Sequence, residues 1–339
     1  MIVAGAGMAG LVAAVRAREL GVDAVVYEKG ARAGGSMLLS SGVVWRHREW
    51  DDFRRECPGG DERLQRLVWE RFDDALAWLV ALGAPVVWED TPNPVTTGKR
   101  FDTCGLTETL CARAGEIEWS PAPLERDEPT ILATGGFGAS PELVAEHIRP
   151  AAPLRLRANP WSTGDGLRAG LARGGSLSAG MDEFYGRNMP DRPWAEDEYV
   201  SASQLYARRA HIVDEDGVEF FRAADVTWSE TNVVQATARR PGARAYYVLD
   251  ESALADPDVV RQVEAAGEAR VARDRVRVVA SITHTIGGVV VDEGARVVGV
   301  PALYAAGVDA GGVATGGYAS GLAQALVLGL AAAESVLAD

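Results

Sequence analysis

A glycine-rich turn near the N-terminus restricts the fold of this chain more than any other feature. Residues 1–4 are apolar and predict a short buried strand, which the motif Gly5-x-Gly7-x-x-Gly10 follows directly. Residues 11–20 predict a helix, and 24–27 predict a second strand that ends at Glu28. A strand, a glycine turn, a helix and a second strand of these lengths predict the first βαβ unit of a doubly wound α/β fold.

Each glycine of this motif has a separate physical role. The first permits a tight turn, the second lets the backbone approach a pyrophosphate, and the third lets helix and strand pack closely. The N-terminus of the helix offers free N–H groups to phosphates, and the carboxylate after the second strand accepts hydrogen bonds from ribose hydroxyls. The motif therefore predicts a dinucleotide site, without separating NAD from FAD. The predicted contacts are Gly5, Gly7, Met8, Ala9, Gly10 and Glu28.

The charge of the chain disfavours some classes of partner. The 339 residues carry 48 acidic side chains against 34 Lys and Arg, a formal net charge of −14. This charge repels phosphate backbones and anionic membrane surfaces. We therefore expect neither nucleic acid nor a membrane surface as a partner.

Cysteine usage and the two ends of the chain bear on its compartment. The chain has three cysteines without a CxxC pair: Cys57, Cys104 and Cys111. This pattern disfavours a disulfide framework or a metal site and favours a reducing cytoplasm. The first strand begins at Met1, so we expect no signal peptide. The apolar stretch 322–338 is short for a membrane span and contains Gln324 and Glu334, so we expect a buried helix there.

The length of the chain predicts one large and one smaller domain. Helical spacing in 49–83 predicts helices beside the sheet. The stretch 178–275 gathers aromatic residues among many charges and includes strand-like pieces such as 211–213 and 245–249. We therefore expect an inserted α+β capping domain at 178–275 within a Rossmann-like domain formed by 1–177 and 276–339.

A second group of small residues favours FAD over NAD as the cofactor, because it resembles a motif of a known family. Lys29 follows Glu28, and the group then reads Gly34-Gly35-Ser36 and Ser40-Ser41-Gly42-Val43-Val44-Trp45. This arrangement resembles the flavoprotein subunits of the fumarate reductase and succinate dehydrogenase superfamily. It is most similar to the 3-ketosteroid dehydrogenases, in which a serine-glycine stretch ending in Trp follows the paired glycines. The resemblance implies that these small residues make room for the pyrophosphate and the flavin ring.

Three later motifs extend the resemblance over nearly the whole chain. They are similar to three motifs of the superfamily: its ATGG turn, the TGDG start of a helix, and its penultimate strand followed by the last helix. In the superfamily this last helix points its N-terminus at the flavin. The cofactor contacts implied by the resemblance are Lys29, Gly34, Gly35, Ser36, Ser40, Ser41, Gly42, Ala133, Thr134, Gly135, Asp165, Gly307, Asp309, Ser320, Gly321 and Leu322.

The chain also departs from the superfamily pattern. Val308, followed by Asp309, stands where fumarate reductases have Glu, and the segment before the ATGG turn is shorter than the usual β-meander. No His follows Gly35 closely, as it does in covalently flavinylated succinate dehydrogenases, so we expect FAD without a covalent bond.

Two alignments concern the catalytic side chains. His284 lies in a stretch that resembles the HTMGG motif of fumarate reductases, whose His holds a substrate carboxylate or carbonyl; the alternative is a structural histidine. Two arginines of those enzymes are replaced, by Tyr318 and by Thr227. We therefore do not expect fumarate reduction.

Tyr318 instead matches a tyrosine of the 3-ketosteroid dehydrogenases that hydrogen-bonds the substrate ketone. The resemblance implies that a phenol aimed at the developing enolate stabilises it, as in an oxyanion hole. The alternative is that Tyr318 packs on the flavin ring. Leu322 stands where those enzymes have a glycine whose backbone N–H also hydrogen-bonds the substrate ketone. The proton-accepting base would be a tyrosine of the inserted domain, and the candidates are Tyr185, Tyr206, Tyr246 and Tyr247.

Together these residues favour an FAD-dependent oxidoreductase that dehydrogenates or reduces a C–C bond next to a carbonyl. The partners are then a mainly apolar small molecule, of which a steroid is one example, and an electron acceptor or donor that the sequence does not identify. Two alternatives stay open: a flavin-binding protein with a decayed catalytic set, and an FAD enzyme that oxidises amines or alcohols.

Overall fold

The computed structural model describes residues 1–338 of the chain. The strands in chain order are β1 Ile2–Ala4, β2 Val25–Tyr27, β3 Val43–His47, β4 Val86–Trp88, β5 Thr96–Phe101, β6 Glu116–Glu118, β7 Thr130–Leu132, β8 Arg155–Leu156, β9 Phe184–Pro190, β10 Ala210–Val213, β11 Glu219–Phe221, β12 Arg244–Leu249, β13 Arg270–Ala272, β14 Arg275–Thr285 and β15 Leu303–Ala305. The helices are α1 Met8–Glu19, α2 Gly35–Leu38, α3 Trp50–Glu56, α4 Glu62–Ala81, α5 Thr103–Ala114, α6 Pro141–Leu143, α7 Asp165–Ala172, α8 Glu198–Ser201, α9 Thr231–Ala238, α10 Pro257–Ala265 and α11 Gly321–Ala338.

The described residues form two compact units. The first contains 1–140, 159–183 and 284–338, and the second contains 141–158 and 184–283. Both units are discontinuous in sequence. The predicted bounds of an inserted domain, 178–275, stay a prediction.

A parallel sheet forms the centre of the first unit. Its strand order is β15-β7-β1-β2-β6, and every neighbouring pair in it is parallel. Ala4, Leu132 and Ala305 lie in register at the carboxyl ends of β1, β7 and β15. The turns that follow these three strands therefore meet at one edge of the sheet, which is where ligands of open α/β sheets bind.

Helices α1, α4, α5 and α11 complete the core of the first unit. Helix α1 packs against α11 and α5, and α4 packs against α11. Within the described residues, α11 is the one helix whose length and composition would allow it to cross a membrane, and 67% of it is buried inside the protein. Its packing against two other helices agrees with the buried helix expected from Gln324 and Glu334.

A small antiparallel sheet with the order β3-β5-β4 also belongs to the first unit. Helices α3 and α4 follow β3 and form the helical region that the spacing in 49–83 predicts. The connection between α3 and α4 lies close to the glycine-rich segment that precedes α11.

The second unit is built on an antiparallel sheet with the order β11-β10-β12-β14-β13, and β8 and β9 also pair with β14. Strand β12 alternates, so that Ala245, Tyr247 and Leu249 enter the core while Arg244 and Tyr246 lie on the opposite face. This alternation is the period-2 pattern expected of a half-buried strand. The strands predicted at 211–213 and 245–249 are thus present as β10 and β12.

Candidate functional site

The turn after β1 admits only glycine at two positions. Gly5 has φ +111°, and a Cβ built there would overlap the carbonyl oxygen of Ala133 after β7. A Cβ at Gly10 would overlap the Gly5 carbonyl oxygen. Gly7 precedes α1, and no side chain caps this helix. The first N–H groups of α1 and the positive end of its dipole are therefore available to an anion.

The second glycine pair places another helix start beside the first. Gly34 has φ +99° and donates its N–H to the Ala6 carbonyl at 2.8 Å. Helix α2 then begins at Gly35, also without a side-chain cap. A Cβ at Gly35 would lie 3.2 Å from the Gly7 Cα, so the two segments approach within backbone distance. Two uncapped helix starts lined only by glycine form a cradle that fits the pyrophosphate of a dinucleotide.

The predicted serines of this region have protein partners. The Ser36 hydroxyl accepts the Asn159 N–H at 3.2 Å. The Ser40 hydroxyl accepts the Gly42 N–H at 3.0 Å and donates to the Met37 carbonyl at 2.8 Å. The hydroxyls of Ser36 and Ser40 therefore shape the loop, and contact of the Ser40–Gly42 stretch with a cofactor stays a prediction.

Glu28 is buried at the end of β2, and both of its carboxylate oxygens accept backbone hydrogen bonds. Oε2 accepts the Ala6 N–H at 2.9 Å, and Oε1 accepts the Gly30 N–H at 2.7 Å. A carboxylate oxygen can accept more than one hydrogen bond, so Glu28 keeps capacity for ribose hydroxyls while it braces the first glycine turn.

Lys29 and Asp165 bind each other. The Lys29 ammonium lies 2.6 Å from the Asp165 carboxylate and 2.5 Å from the Thr163 hydroxyl. Asp165 starts α7, where an acid is favourable because of the helix dipole. The structure thus brings two predicted contact residues together as an ion pair, and their contact with a cofactor stays a prediction.

Asp309 joins three glycine turns. Its buried carboxylate accepts hydrogen bonds from the Thr134 N–H, from the Thr134 hydroxyl at 3.1 Å and from the Gly136 N–H at 2.9 Å. The Thr134 hydroxyl in turn accepts the Gly166 N–H at 3.0 Å. Burial raises the pKa of Asp309, and the hydrogen bonds from Thr134 and Gly136 oppose this shift. The acid that follows Val308 therefore holds the turns after β7 and β15 and the start of α7 in one arrangement.

The turn after β15 links the glycine cradle to the last helix. Gly307 has φ +62°, and a Cβ there would lie 3.1 Å from the Ala9 Cβ in the first turn of α1. Gln324, buried in the first turns of α11, donates to the carbonyls of Gly307 and Ala310, both at 2.8 Å. Sequence reasoning noted Gln324 only as a polar residue in an apolar stretch.

His284 lies against the start of α11. A Cβ at Gly321 would be 3.1 Å from the His284 Cε1. The Ser320 hydroxyl accepts the Ala323 N–H at 3.2 Å and so caps the helix. Burial lowers the pKa of His284 to about 4, so the ring is neutral at pH 7 and has one nitrogen that donates and one that accepts. The structure therefore brings His284 together with the predicted residues Ser320, Gly321 and Leu322 at one helix end.

Tyr318 sits two residues before Ser320 and is held by its ring and by its backbone. Its ring makes an edge contact with Trp45, with centroids 5.5 Å apart. The backbone of Tyr318 lies close enough to the side chains of His47 and Cys57 to affect the pKa of both groups. The ring contact with Trp45 does not involve the phenol oxygen.

The loop that carries Tyr318 is anchored by the connection between α3 and α4. The Gly59 N–H donates to the Thr315 carbonyl at 3.1 Å, and the Gln65 side chain donates to the Val313 carbonyl at 2.8 Å. Gln65 is fully buried on α4. Sequence reasoning did not find this anchor; the one signal is a glutamine among the apolar positions of an amphipathic helix.

Glu183 anchors the same loop from another side. Its carboxylate accepts the Gly316 N–H at 2.7 Å, and its carbonyl accepts the Ile286 N–H at 3.2 Å. Glu183 therefore ties the segment after His284 to the loop before Tyr318. Burial raises its pKa, and the charge of Asp182 adds to this shift.

We expect the stability of the protein to fall between pH 6.5 and 4 because of His47. Burial lowers the pKa of this histidine to about 4 from 6.5, although the Tyr318 backbone and the charge of Asp52 act in the opposite direction. The unfolded chain therefore takes up a proton below pH 6.5 that the folded protein does not. At pH 5 this uptake lowers the free energy of unfolding by about 2 kcal/mol.

Urea unfolding of the wild type and of His47→Gln at pH 7 and pH 5 measures this effect. The variant is less stable at pH 7 but should lose less stability between the two pH values. An equal loss in both proteins would show that other groups cause the acid sensitivity.

Two of the four candidate tyrosines belong to the core of the second unit. Tyr206 and Tyr247 pack at 5.4 Å, and their hydroxyls hydrogen-bond to Gln204 and Asn188, both at 2.8 Å. Burial raises the pKa of both phenols. They are unsuited to exchange protons with a substrate, so Tyr185 and Tyr246 remain as candidates.

A comparison with protein families shows to which family the chain belongs. The model of the FAD binding domain family matches residues 1–123 and 122–322. The chain belongs to this family. The predicted FAD cofactor is thereby confirmed, and the family agrees with the prediction of an FAD-dependent oxidoreductase. No curated protein matches the sequence.

Solved structures share the fold of this FAD binding domain protein. The open conformation of a flavocytochrome c3 fumarate reductase has a TM-score of 0.74 at 18% identity, covering 99% of this chain and 77% of the other. A 3-ketosteroid Δ1-dehydrogenase from Sterolibacterium denitrificans, bound to 1,4-androstadiene-3,17-dione, has a TM-score of 0.74 at 16% identity, covering 99% of both chains. A 3-ketosteroid-Δ4-(5α)-dehydrogenase from Rhodococcus jostii RHA1 has a TM-score of 0.68 at 18% identity, covering 99% and 96%. These likenesses confirm the predicted fold class, a discontinuous Rossmann-like FAD-binding domain with a smaller α+β insertion.

Proposed function

We propose that this FAD binding domain protein dehydrogenates or reduces a C–C bond next to the carbonyl of a mainly apolar substrate. Bound FAD supplies hydride transfer at N5 of its ring. In the oxidative direction the substrate loses a proton from the carbon next to the carbonyl and a hydride from the following carbon. A double bond forms between these two carbons, and the reverse reaction reduces it.

The position of Tyr318 carries this proposal. Its loop is fixed at Val313, Thr315 and Gly316 by residues of the same unit, and its ring packs against Trp45. This anchoring holds Tyr318 in one place, as is required of a side chain that positions a substrate. A fixed phenol that donates to a substrate carbonyl stabilises the enolate formed when the proton leaves.

His284 and the start of α11 add polar groups to the same region. A neutral imidazole can donate a hydrogen bond to a carbonyl without placing a charge in an apolar site. The N–H groups of Gly321 and Leu322 lie at the positive end of the helix dipole, where negative charge is favoured.

Tyr185 and Tyr246 remain the two candidates for the proton acceptor. Tyr185 is buried beside the Arg187 guanidinium, 5.0 Å from the ring centre, and Tyr246 stacks under Arg275 at 4.1 Å.

Similar structures support the substrate class. The two 3-ketosteroid dehydrogenases were solved with steroid diones, which are apolar ketones. A fumarate reductase activity is disfavoured because Tyr318 and Thr227 occupy the positions at which the sequence resemblance places arginines.

An anaerobic substrate screen tests the proposal. The purified protein is photoreduced and mixed with enones, with aldehydes as products of alcohol oxidation, and with imines as products of amine oxidation, while the flavin band near 450 nm is followed. We expect enones alone to restore the oxidised band. Restoration by imines or aldehydes alone would assign a different oxidation, and no response with FAD still bound would favour a flavin carrier.

The same preparation tests how FAD is held. Denaturation in acid should release all of the flavin into the supernatant, because we propose that the cradle binds FAD without a covalent bond. Yellow colour that stays with the precipitated protein would contradict this.

A further inference from the structure

The second unit has a group of arginines gathered around one buried acid. Three guanidinium groups converge on the carboxylate of Asp191: Arg155 at 2.5 Å, Arg244 at 2.7 Å and Arg277 at 2.9 Å. The Asp191 side chain is 4% exposed, whereas the three arginines are 36–40% exposed. The Asp191 carboxylate is thus buried, whereas the three guanidinium groups are partly exposed to solvent.

A fourth arginine extends this group on the same face of the sheet. In β14, Arg275 is two residues before Arg277, so both side chains point to one face. Tyr246 pairs directly with Arg277, and the Arg275 guanidinium stacks on its ring at 4.1 Å. Among residues 1–338 no acid forms an ion pair with Arg275, and its Nε is buried without a hydrogen-bond partner.

The charges of this group do not balance. Three arginines share one acid and Arg275 lies beside them, which leaves an excess of about three positive charges on a chain whose net charge is −14. A single carboxylate needs one bidentate arginine to be satisfied, so holding the strands together does not account for four. Arg244 uses only its Nε toward Asp191 within the described part of the chain, and its other N–H groups are left for a further acceptor.

We propose that Arg155, Arg244, Arg275 and Arg277 form a binding site for a phosphate-bearing small molecule. Guanidinium groups bind phosphate oxygens in pairs of parallel hydrogen bonds, and several partly buried arginines favour a multiply charged anion over a single carboxylate. All four arginines belong to the second unit.

Calorimetric titration of the FAD-loaded protein with inorganic pyrophosphate at low ionic strength tests the proposal. We expect saturable binding of one equivalent that weakens as salt is added, although the net charge of the protein repels anions. Flavin fluorescence is followed in the same titration, and it should not change, because displacement of FAD would place the anion in the glycine cradle instead. Such displacement, or the absence of saturable binding, would overturn the proposal.

Two charge-matched variants locate the site. Arg275→Gln should weaken pyrophosphate binding about tenfold, because it removes a charged donor but leaves the Asp191 contacts intact. Arg261→Gln removes the same charge from the exposed surface of α10, where Arg261 pairs with Asp258, and should leave binding within about twofold. If both variants weakened binding equally, the change in net charge alone would explain the result, and a specific binding site would be contradicted.

Titration with adenosine diphosphate distinguishes two sources of the phosphate. Tighter binding than that of pyrophosphate would assign the site to a phosphate on a larger organic molecule. Equal or weaker binding, also lost in Arg275→Gln, would assign it to the inorganic anion.

Discussion

Gly5→Ala is expected to give protein that purifies without FAD and unfolds at a much lower temperature than the wild type. A Cβ at this position would overlap the Ala133 carbonyl oxygen, which belongs to the turn after the neighbouring strand β7. The backbone also has φ +111°, which is unfavourable for alanine. The turn must therefore move away from β7, and the cradle between Gly7 and Gly35 opens with it. The ratio of flavin to protein absorbance and the unfolding temperature measure the two effects.

Gly21→Ala is the matched control. Gly21 ends α1 with φ +78°, but a Cβ there would meet nothing within 4 Å. This variant therefore isolates the cost of the backbone conformation, about 1 kcal/mol, and should keep a full complement of FAD. If the two variants bound FAD equally well, the close approach of β1 and β7 would not be the reason why Gly5 is needed for FAD binding.

Tyr318→Phe is expected to lower kcat by about 10²- to 10³-fold on a ketone substrate while FAD binding is unchanged, because the phenol donor to the developing enolate is lost. The ring contact with Trp45 does not involve the hydroxyl, and the loop is anchored at Val313, Thr315 and Gly316, so it should keep its shape. Steady-state turnover and the flavin spectrum of the same sample measure the two expectations.

Tyr27→Phe controls for the loss of a hydroxyl elsewhere in the first unit and should leave kcat within about twofold. Full turnover by Tyr318→Phe would show that Tyr318 only packs in the site. In that case Tyr318→Leu, which also removes the aromatic contact with Trp45, would be the variant that loses activity.

The N-terminal part of the cradle could be predicted because its causes are local. Strand β1, helix α1 and strand β2 lie within 27 residues, and Gly5 and Gly10 are fixed by contacts with neighbouring turns. The region 85–130 could not be assigned in the same way. Strand β6 consists of Glu116–Glu118, and its place at the edge of the sheet depends on pairing with β2 rather than on any apolar pattern.

The residues that hold the candidate site in shape were missed because their partners are distant in sequence. Gln65 bonds to Val313 across 248 residues, and Asp309 bonds to Thr134 across 175. A single sequence shows a buried glutamine or aspartate only as an interruption of an apolar pattern. Asp309 was predicted as a cofactor contact from the resemblance, yet its observed bonds are to the ATGG turn.

The order in which the first unit can assemble follows from the anchoring of the Tyr318 loop. Residues 45–65 are synthesised before Val313 and Thr315, whose carbonyls they bind. The packing of α1 against α11 likewise joins an earlier segment to a later one. The Tyr318 loop and the glycine cradle therefore cannot reach their final arrangement until the segment that contains α11 has been synthesised.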